Sequence, residues 1–82
     1  MYILSFESSC DETAVAVLHA EENTLLPLAD MIASQVETHR LYGGVVPEIA
    51  SRAHIEAISG LTYEALDKAK LSIRDIDLIA VT

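Results

Sequence analysis

Thr13-Ala14-Val15-Ala16-Val17-Leu18 is the stretch on which the fold turns, together with Tyr2-Ile3-Leu4-Ser5-Phe6-Glu7 before it and the polar break from Ser8 to Glu12 between them. The six-residue run is apolar and β-branched at alternate positions, which suits a strand buried on both faces. In residues 2–7, Tyr2, Leu4 and Phe6 fall on one face at period two, so this segment also reads as a strand. Glu21-Glu22-Asn23 reads as a turn, and a third strand is expected from Leu25 to about Val36, with Pro27 near its start. Two strands joined by a hairpin and followed by a third make an antiparallel meander.

The pattern then changes period. Leu41-Tyr42-Gly43-Gly44-Val45-Val46-Pro47 carries a glycine pair, which permits backbone angles closed to other residues. Pro47 suits the first position of a helix, where its missing N–H costs nothing. Glu48 complements the helix dipole at that end, as Lys68 and Lys70 do at the other. Residues 47–69 are therefore expected to form one long helix, with Gly60 as a weak point costing up to ~1 kcal/mol against alanine. Ser72 and Asp75 have capping-box spacing for one more short turn, and residues 76–82 read as a strand.

The expected order is strand, strand, strand, helix, strand, an α/β arrangement. A strand reached through a helix runs parallel to a neighbour by a right-handed crossover. One helix cannot cover both faces of a four-stranded sheet, and a terminal strand leaves an unpaired edge. Residues 1–82 are thus expected to be the front part of a larger α/β domain. The helix points the same way. Ala50, Ala53 and Ala57 line one side, Ile55, Ile58, Ala65, Leu66 and Ala69 another, with Leu61 between them. A helix with one buried face needs an apolar arc of only about 100°, and this arc is roughly twice that. Ala50, Ala53, Ala57, Ile58 and Leu61 are the expected partner-facing residues, and the chain alone is expected to bury its surplus against a second copy.

Composition bounds the function. Among 82 residues, 13 Asp and Glu face 5 Lys and Arg, so the net charge is −8, and this acidity argues against the segment itself gripping a nucleic-acid backbone. With 51% apolar and 22% charged residues, the chain is globular in character rather than disordered. No apolar run reaches the ~18 residues of a membrane span. Glu7 and the lack of a basic start exclude a signal peptide. The single cysteine, Cys10, has no internal disulfide partner, which fits a reducing cytoplasm.

Ser8-Ser9-Cys10-Asp11-Glu12-Thr13 concentrates hydroxyls, a thiol and two acids between two strands. Such a loop can offer N–H and hydroxyl groups to a phosphate, and its acids can position a metal–water shell; a plain polar hairpin turn has the same composition. Cys10 has no histidine near it in sequence to act as a base, which argues against a nucleophile. His39 and His54 bracket the glycine segment but lack the i, i+4 spacing of a helical metal site, so hydrogen-bonded or surface roles compete with ligation. Glu48 and Arg52 have i, i+4 spacing for a surface ion pair.

Two segments carry a family resemblance. Glu7-Ser8-Ser9-Cys10-Asp11-Glu12-Thr13 resembles the opening signature of the TsaD family, with Ser8 in place of threonine; just upstream, Ser5 stands where a glycine is usual. Leu41-Tyr42-Gly43-Gly44-Val45-Val46-Pro47-Glu48-Ile49-Ala50-Ser51-Arg52-Ala53-His54 resembles that family's second signature. The family also carries the older name O-sialoglycoprotein endopeptidase, or glycoprotease; no nucleophile or zinc motif in these residues supports that label.

The resemblance implies an RNase H-like lobe of the actin, hexokinase and Hsp70 superfamily, in a protein several times longer. It implies transfer of a threonylcarbamoyl group from threonylcarbamoyl-AMP to the adenosine beside the anticodon of tRNAs that read codons starting with A. It gives Ser9, Cys10, Asp11 and Glu12 a phosphate-side role, Asp11 and Glu12 being the catalytic candidates, and makes His39 and Glu48 further substrate-side candidates. It implies one divalent metal, iron or zinc, held by ligands beyond Thr82. It also implies a TsaB-like paralogue docked on helix 47–69, a TsaE-like ATPase, and tRNA bound by other parts of the protein. A TsaB-like scaffold without catalysis and a kinase-like nucleotide-binding relative are the alternatives; both are disfavoured by the second signature.

Overall fold

A computed structural model describes residues 1–9 and 11–82. Strand β1 runs Tyr2–Ser9, β2 Glu12–Glu21 and β3 Thr24–Ser34, followed by a short helix α1, Val36–Arg40. The long helix α2 is Pro47–Ala69, a 3-10 turn covers Ile73–Asp75, and β4 is Leu78–Val81. The sheet order is β3-β2-β1-β4, with β1–β2 and β2–β3 antiparallel and β1–β4 parallel. The strand, strand, strand, helix, strand order expected from the pattern is found, with the short helix α1 added before α2.

Helix α2 lies over one face of the sheet. Leu4, Val15, Val17 and Ala29 from the strands and Ala65 and Leu66 from the helix form the buried cluster, with Phe6, Met31, Leu61 and Ala69 packed around it. Ile3, Ala14, Leu18, Ile32 and Leu78 belong to the opposite face, since Ile3 pairs with both Leu18 and Leu78 and Ala14 with Ile32. Ile32 and Leu78 are exposed there. The expectation that one helix leaves a sheet face bare holds among the described residues.

Several boundaries differ from the expected ones for local reasons. The strands β1 and β2 extend to Ser9 and back from Glu12, so strand pairing reaches further into the polar break than composition suggests. Pro27 is accommodated because β3 is an edge strand and the β2–β3 register shifts between Val17 and Leu18, opposite it. β3 stops at Ser34 rather than reaching Val36. There the Val36 N–H is taken by Ser34 Oγ at 3.2 Å and the Gln35 N–H by the Asp11 carbonyl at 2.6 Å, and α1 begins. β4 pairs from Leu78 rather than residue 76. Asp77 instead accepts the Tyr2 N–H on its carboxylate at 2.8 Å and returns its own N–H to the Tyr2 carbonyl at 2.8 Å.

Helix α2 has the bounds expected, with Pro47 at its start. Its C-terminal cap is Lys70, a non-glycine residue at φ 59°, not a member of the last turn. The Leu71 N–H reaches back to the Leu66 carbonyl at 3.0 Å, closing the helix end in the Schellman manner. Ser72 and Asp75 form the reciprocal capping box that their spacing indicated.

Candidate functional site

The β1–β2 hairpin and the glycine segment, distant in sequence, meet at one end of the sheet. Asp11, Val36, His39, Arg40, Gly43, Gly44 and Val45 line a concavity of about 390 Å³. The Asp11 carbonyl anchors the start of α1 through the Gln35 N–H, which ties the hairpin turn to the segment carrying His39 and Arg40. Gly43 adopts φ 77°, a left-handed conformation that favours glycine, and its N–H is held by the Arg40 carbonyl at 3.2 Å. The His39 carbonyl accepts from Tyr42 at 3.0 Å and from Gly44 at 3.3 Å, so the glycine turn is folded back on α1.

Beneath this wall runs a buried polar network. Thr13, Gln35 and His39 are the buried polar residues of the described chain, at 1%, 7% and 4% exposure, and at such depth each polar atom needs a partner. His39 Nε2 lies 2.7 Å from Gln35 Oε1, and the Val46 N–H donates to His39 Nδ1 at 3.2 Å. Gln35 Nε2 lies 3.4 Å from His54 Nδ1 and 3.5 Å from the Ala50 carbonyl. Thr13 Oγ1 lies 2.7 Å from the same His54 nitrogen. No buried side-chain nitrogen or oxygen among the described residues lacks a partner.

The candidates named from sequence divide as follows. Asp11 and His39 line the concavity together. Ser9 and Glu12 are exposed and pair with each other across the hairpin. Cys10 lies outside the described residues. Glu48 is exposed and bound in an i, i+4 pair with Arg52 at 3.4 Å, away from the concavity lining. His54 is tied to Thr13 and His39 to Gln35, which favours the hydrogen-bonded reading of both over ligation. Among the described residues no group of three His, Cys, Asp or Glu side chains could hold a metal ion.

The helix positions expected to face a partner divide between this chain's own core and its surface. Ala50 is buried and its carbonyl faces Gln35, while Leu61 packs against the core, so both serve this chain's own sheet. Ala53 and Ala57 line a second concavity with Thr13, Ala33 and Gln35. Ile58 is half-buried. The exposed large apolar groups of α2 are Ile55 and Tyr63. At Ala50 the small side chain thus permits close approach to this chain's own Gln35, while Ala53, Ala57 and Ile58 keep part of their surface exposed.

Two participants were not singled out from the sequence. Arg40, one of only 5 cationic residues, belongs to the lining, with its guanidinium paired to the Glu37 carboxylate at 3.3 Å, and the signal available was its position just before the glycine segment. Gln35 had no such signal.

Residues 27–82 match the family profile described as TsaD: tRNA N6-adenosine threonylcarbamoyltransferase. The chain is 54% identical over 81 residues to the tRNA N6-adenosine threonylcarbamoyltransferase of Streptococcus uberis, an alignment covering 99% of this chain and 23% of the relative. It is 54% identical over 83 residues to the protein of that name from Rhizobium meliloti, covering 100% of the chain and 23% of the relative. The Streptococcus pneumoniae protein is 51% identical over 81 residues, again 99% and 23%. The chain therefore spans about a quarter of the length of the curated relatives it matches.

Proposed function

Because the chain belongs to the TsaD family and has the mixed α/β architecture of its RNase H-like, actin-like fold, we propose that it forms the opening part of the amino-terminal lobe of a longer tRNA-modifying threonylcarbamoyltransferase. The observation that carries this reading is the concavity in which both signature segments meet, Asp11 from the first and Gly43, Gly44 and Val45 from the second. The Arg40 guanidinium, paired at the exposed surface with Glu37 at 3.3 Å, can exchange that partner for an oxyanion, and the Asp11 carboxylate accepts from amine or hydroxyl donors. That combination fits the phosphate and threonyl ends of threonylcarbamoyl-AMP.

In the proposed reaction the exocyclic amine of the tRNA adenosine attacks the carbamoyl carbonyl carbon. A new N–C bond forms, the C–O bond to the phosphate breaks, AMP departs with the bonding pair, and the amine loses one proton. No covalent enzyme intermediate is needed. The contribution of this chain is to bind and orient the donor, with positive charge near the departing phosphate. The described residues gather no ligand set for the divalent metal that the resemblance implies. The TsaB-like paralogue, the TsaE-like ATPase and a cytoplasmic setting belong to the same proposal. No helix among the described residues is long and apolar enough to cross a membrane.

The test is transfer of labelled threonylcarbamoyl from threonylcarbamoyl-AMP to tRNA by the longer protein, with and without Arg40→Ala. Transfer by the intact protein and a raised KM for threonylcarbamoyl-AMP in the variant are expected. The 82-residue chain alone is expected to transfer nothing, and turnover above the enzyme-free control would refute its proposed status as part of a lobe.

A further inference from the structure

We infer that His39 and His54 are positioning residues, each accepting at Nδ1 with its proton on Nε2 in a hydrogen-bond relay whose direction two backbone groups dictate, and that this relay sets the spacing between the Asp11 and glycine walls of the concavity. The Val46 N–H can only donate, so His39 Nδ1 is the acceptor and the His39 proton sits on Nε2. Nε2–H then donates to Gln35 at 2.7 Å, which makes the facing Gln35 atom the oxygen. At the far side, the Ala50 carbonyl can only accept, so the Gln35 atom turned toward it is the nitrogen. The two ends assign the same orientation of the Gln35 amide independently.

The Gln35 amide N–H also faces His54 Nδ1, at 3.4 Å, and that nitrogen is therefore an acceptor. The Thr13 hydroxyl donates to it at 2.7 Å, leaving the His54 proton on Nε2. The chain of donors thus joins Val46, which follows the glycine pair, to Thr13, two residues after Asp11. Its members come from β2, the end of β3, α1 and α2, so it ties together every element that borders the site. A metal at either ring would require an Nδ1 or Nε2 lone pair; at His39 both nitrogens are occupied by these bonds. The positioning role rests on the functional reading above, but the proton positions do not.

The test uses the chain labelled with 15N-histidine. Long-range 15N–1H correlation at neutral pH is expected to show His39 and His54 each as a single Nε2–H tautomer, with His19 at the opposite end of β2 as internal comparison. Gln35→Glu keeps the shape and still accepts from His39, but has no proton to offer His54. In that variant His39 is expected to be unchanged while His54 gains a proton on Nδ1. Thr13→Ser retains the hydroxyl and is expected to match the parent spectrum. Mixed tautomers or an Nδ1–H form at His39 or His54 in the unaltered chain would overturn the relay.

In the longer transferase, Gln35→Glu is expected to raise the KM for threonylcarbamoyl-AMP about tenfold with a smaller change in kcat, because the donated bonds from residue 35 to Ala50 and His54, which hold α2 against α1, are lost although the side chain is isosteric. A shifted His54 with unaltered KM would overturn the positioning role. Absence of transfer by the unaltered longer protein, with the tautomers as stated, would remove the functional reading and leave the relay standing.

Discussion

Two glycines should respond to alanine with opposite signs, and the structure supplies both magnitudes. Gly60 lies inside α2, and a Cβ built there meets nothing within 4 Å. Packing therefore neither rewards nor opposes the added methyl, and the full helical preference of alanine, about 0.8–1 kcal/mol, should appear as added stability. Gly43 likewise has open space but sits at φ 77°. Alanine there escapes any clash and incurs only the left-handed backbone penalty of roughly 1–2 kcal/mol, partly offset by the reduced freedom of the unfolded chain. Urea unfolding followed by circular dichroism decides the matter. With a slope near ~1 kcal/mol/M for so small a domain, Gly60→Ala should raise the midpoint by about 0.8–1 M and Gly43→Ala should lower it by about 0.5–1 M, the slope unchanged. A lowered midpoint for Gly60→Ala would mean that a neighbour, such as a second copy, covers that side of α2 in solution. A raised midpoint for Gly43→Ala would refute the left-handed turn that shapes the concavity.

Leu66→Ala should cost about 2–5 kcal/mol, because the side chain fills the cluster between α2 and the sheet; thermal unfolding by circular dichroism reads this directly. Lys70→Gly should stabilise by about 0.5–1 kcal/mol, since the cap at φ 59° carries a penalty that glycine lacks, and an unchanged urea midpoint would contradict the assignment. Asp11→Ala in the longer protein should lower transfer to tRNA about tenfold, equivalent to ~1.4 kcal/mol of barrier, with the circular dichroism spectrum retained. Sedimentation equilibrium should show the isolated chain associating through its bare apolar surfaces. Ile55→Asp, at a position 74% exposed, should weaken that association, and a monomer at all concentrations would refute it.

The framework was legible because its signals are local and periodic. Alternation in Tyr2, Leu4 and Phe6 and the β-branched run through Val15 and Val17 marked the strands whose buried members are now seen in one cluster. Pro47 marked the start of α2, and the Ser72–Asp75 spacing marked the capping box, each through chemistry confined to one turn. Helix α1 escaped notice because five residues are too few to establish a period, and what ends β3 is a bond from Gln35 to Asp11 in the β1–β2 turn. The alanine stripe of α2 is ambiguous for a related reason. Small residues indicate that something approaches closely, and they do not indicate which surface it is. At Ala50 it is this chain's own Gln35.

The site was legible only in halves. The acidic hairpin and the glycine segment each announce themselves, yet nothing in either says that Asp11 and Gly43 border one concavity. Their meeting follows from topology: the β1–β2 turn, the end of β3 and the start of α2 fall at the same end of the sheet. Gln35 shows the difficulty most sharply. It sits between Ser34 and a short helix containing Glu37, Thr38 and Arg40, a context indistinguishable from solvated loop, yet it is 7% exposed. Burying its amide is tolerable only because His39, His54 and Ala50 converge on it from α1 and α2, the farthest pair of the network spanning 41 positions of sequence between Thr13 and His54. Apolar patterning therefore specifies which faces close, whereas the polar contacts that orient the site become specified only once those faces have closed. This predicts an order of sensitivity: core truncations such as Leu66→Ala should act on stability first, and exchanges within the relay such as Gln35→Glu should act on binding first.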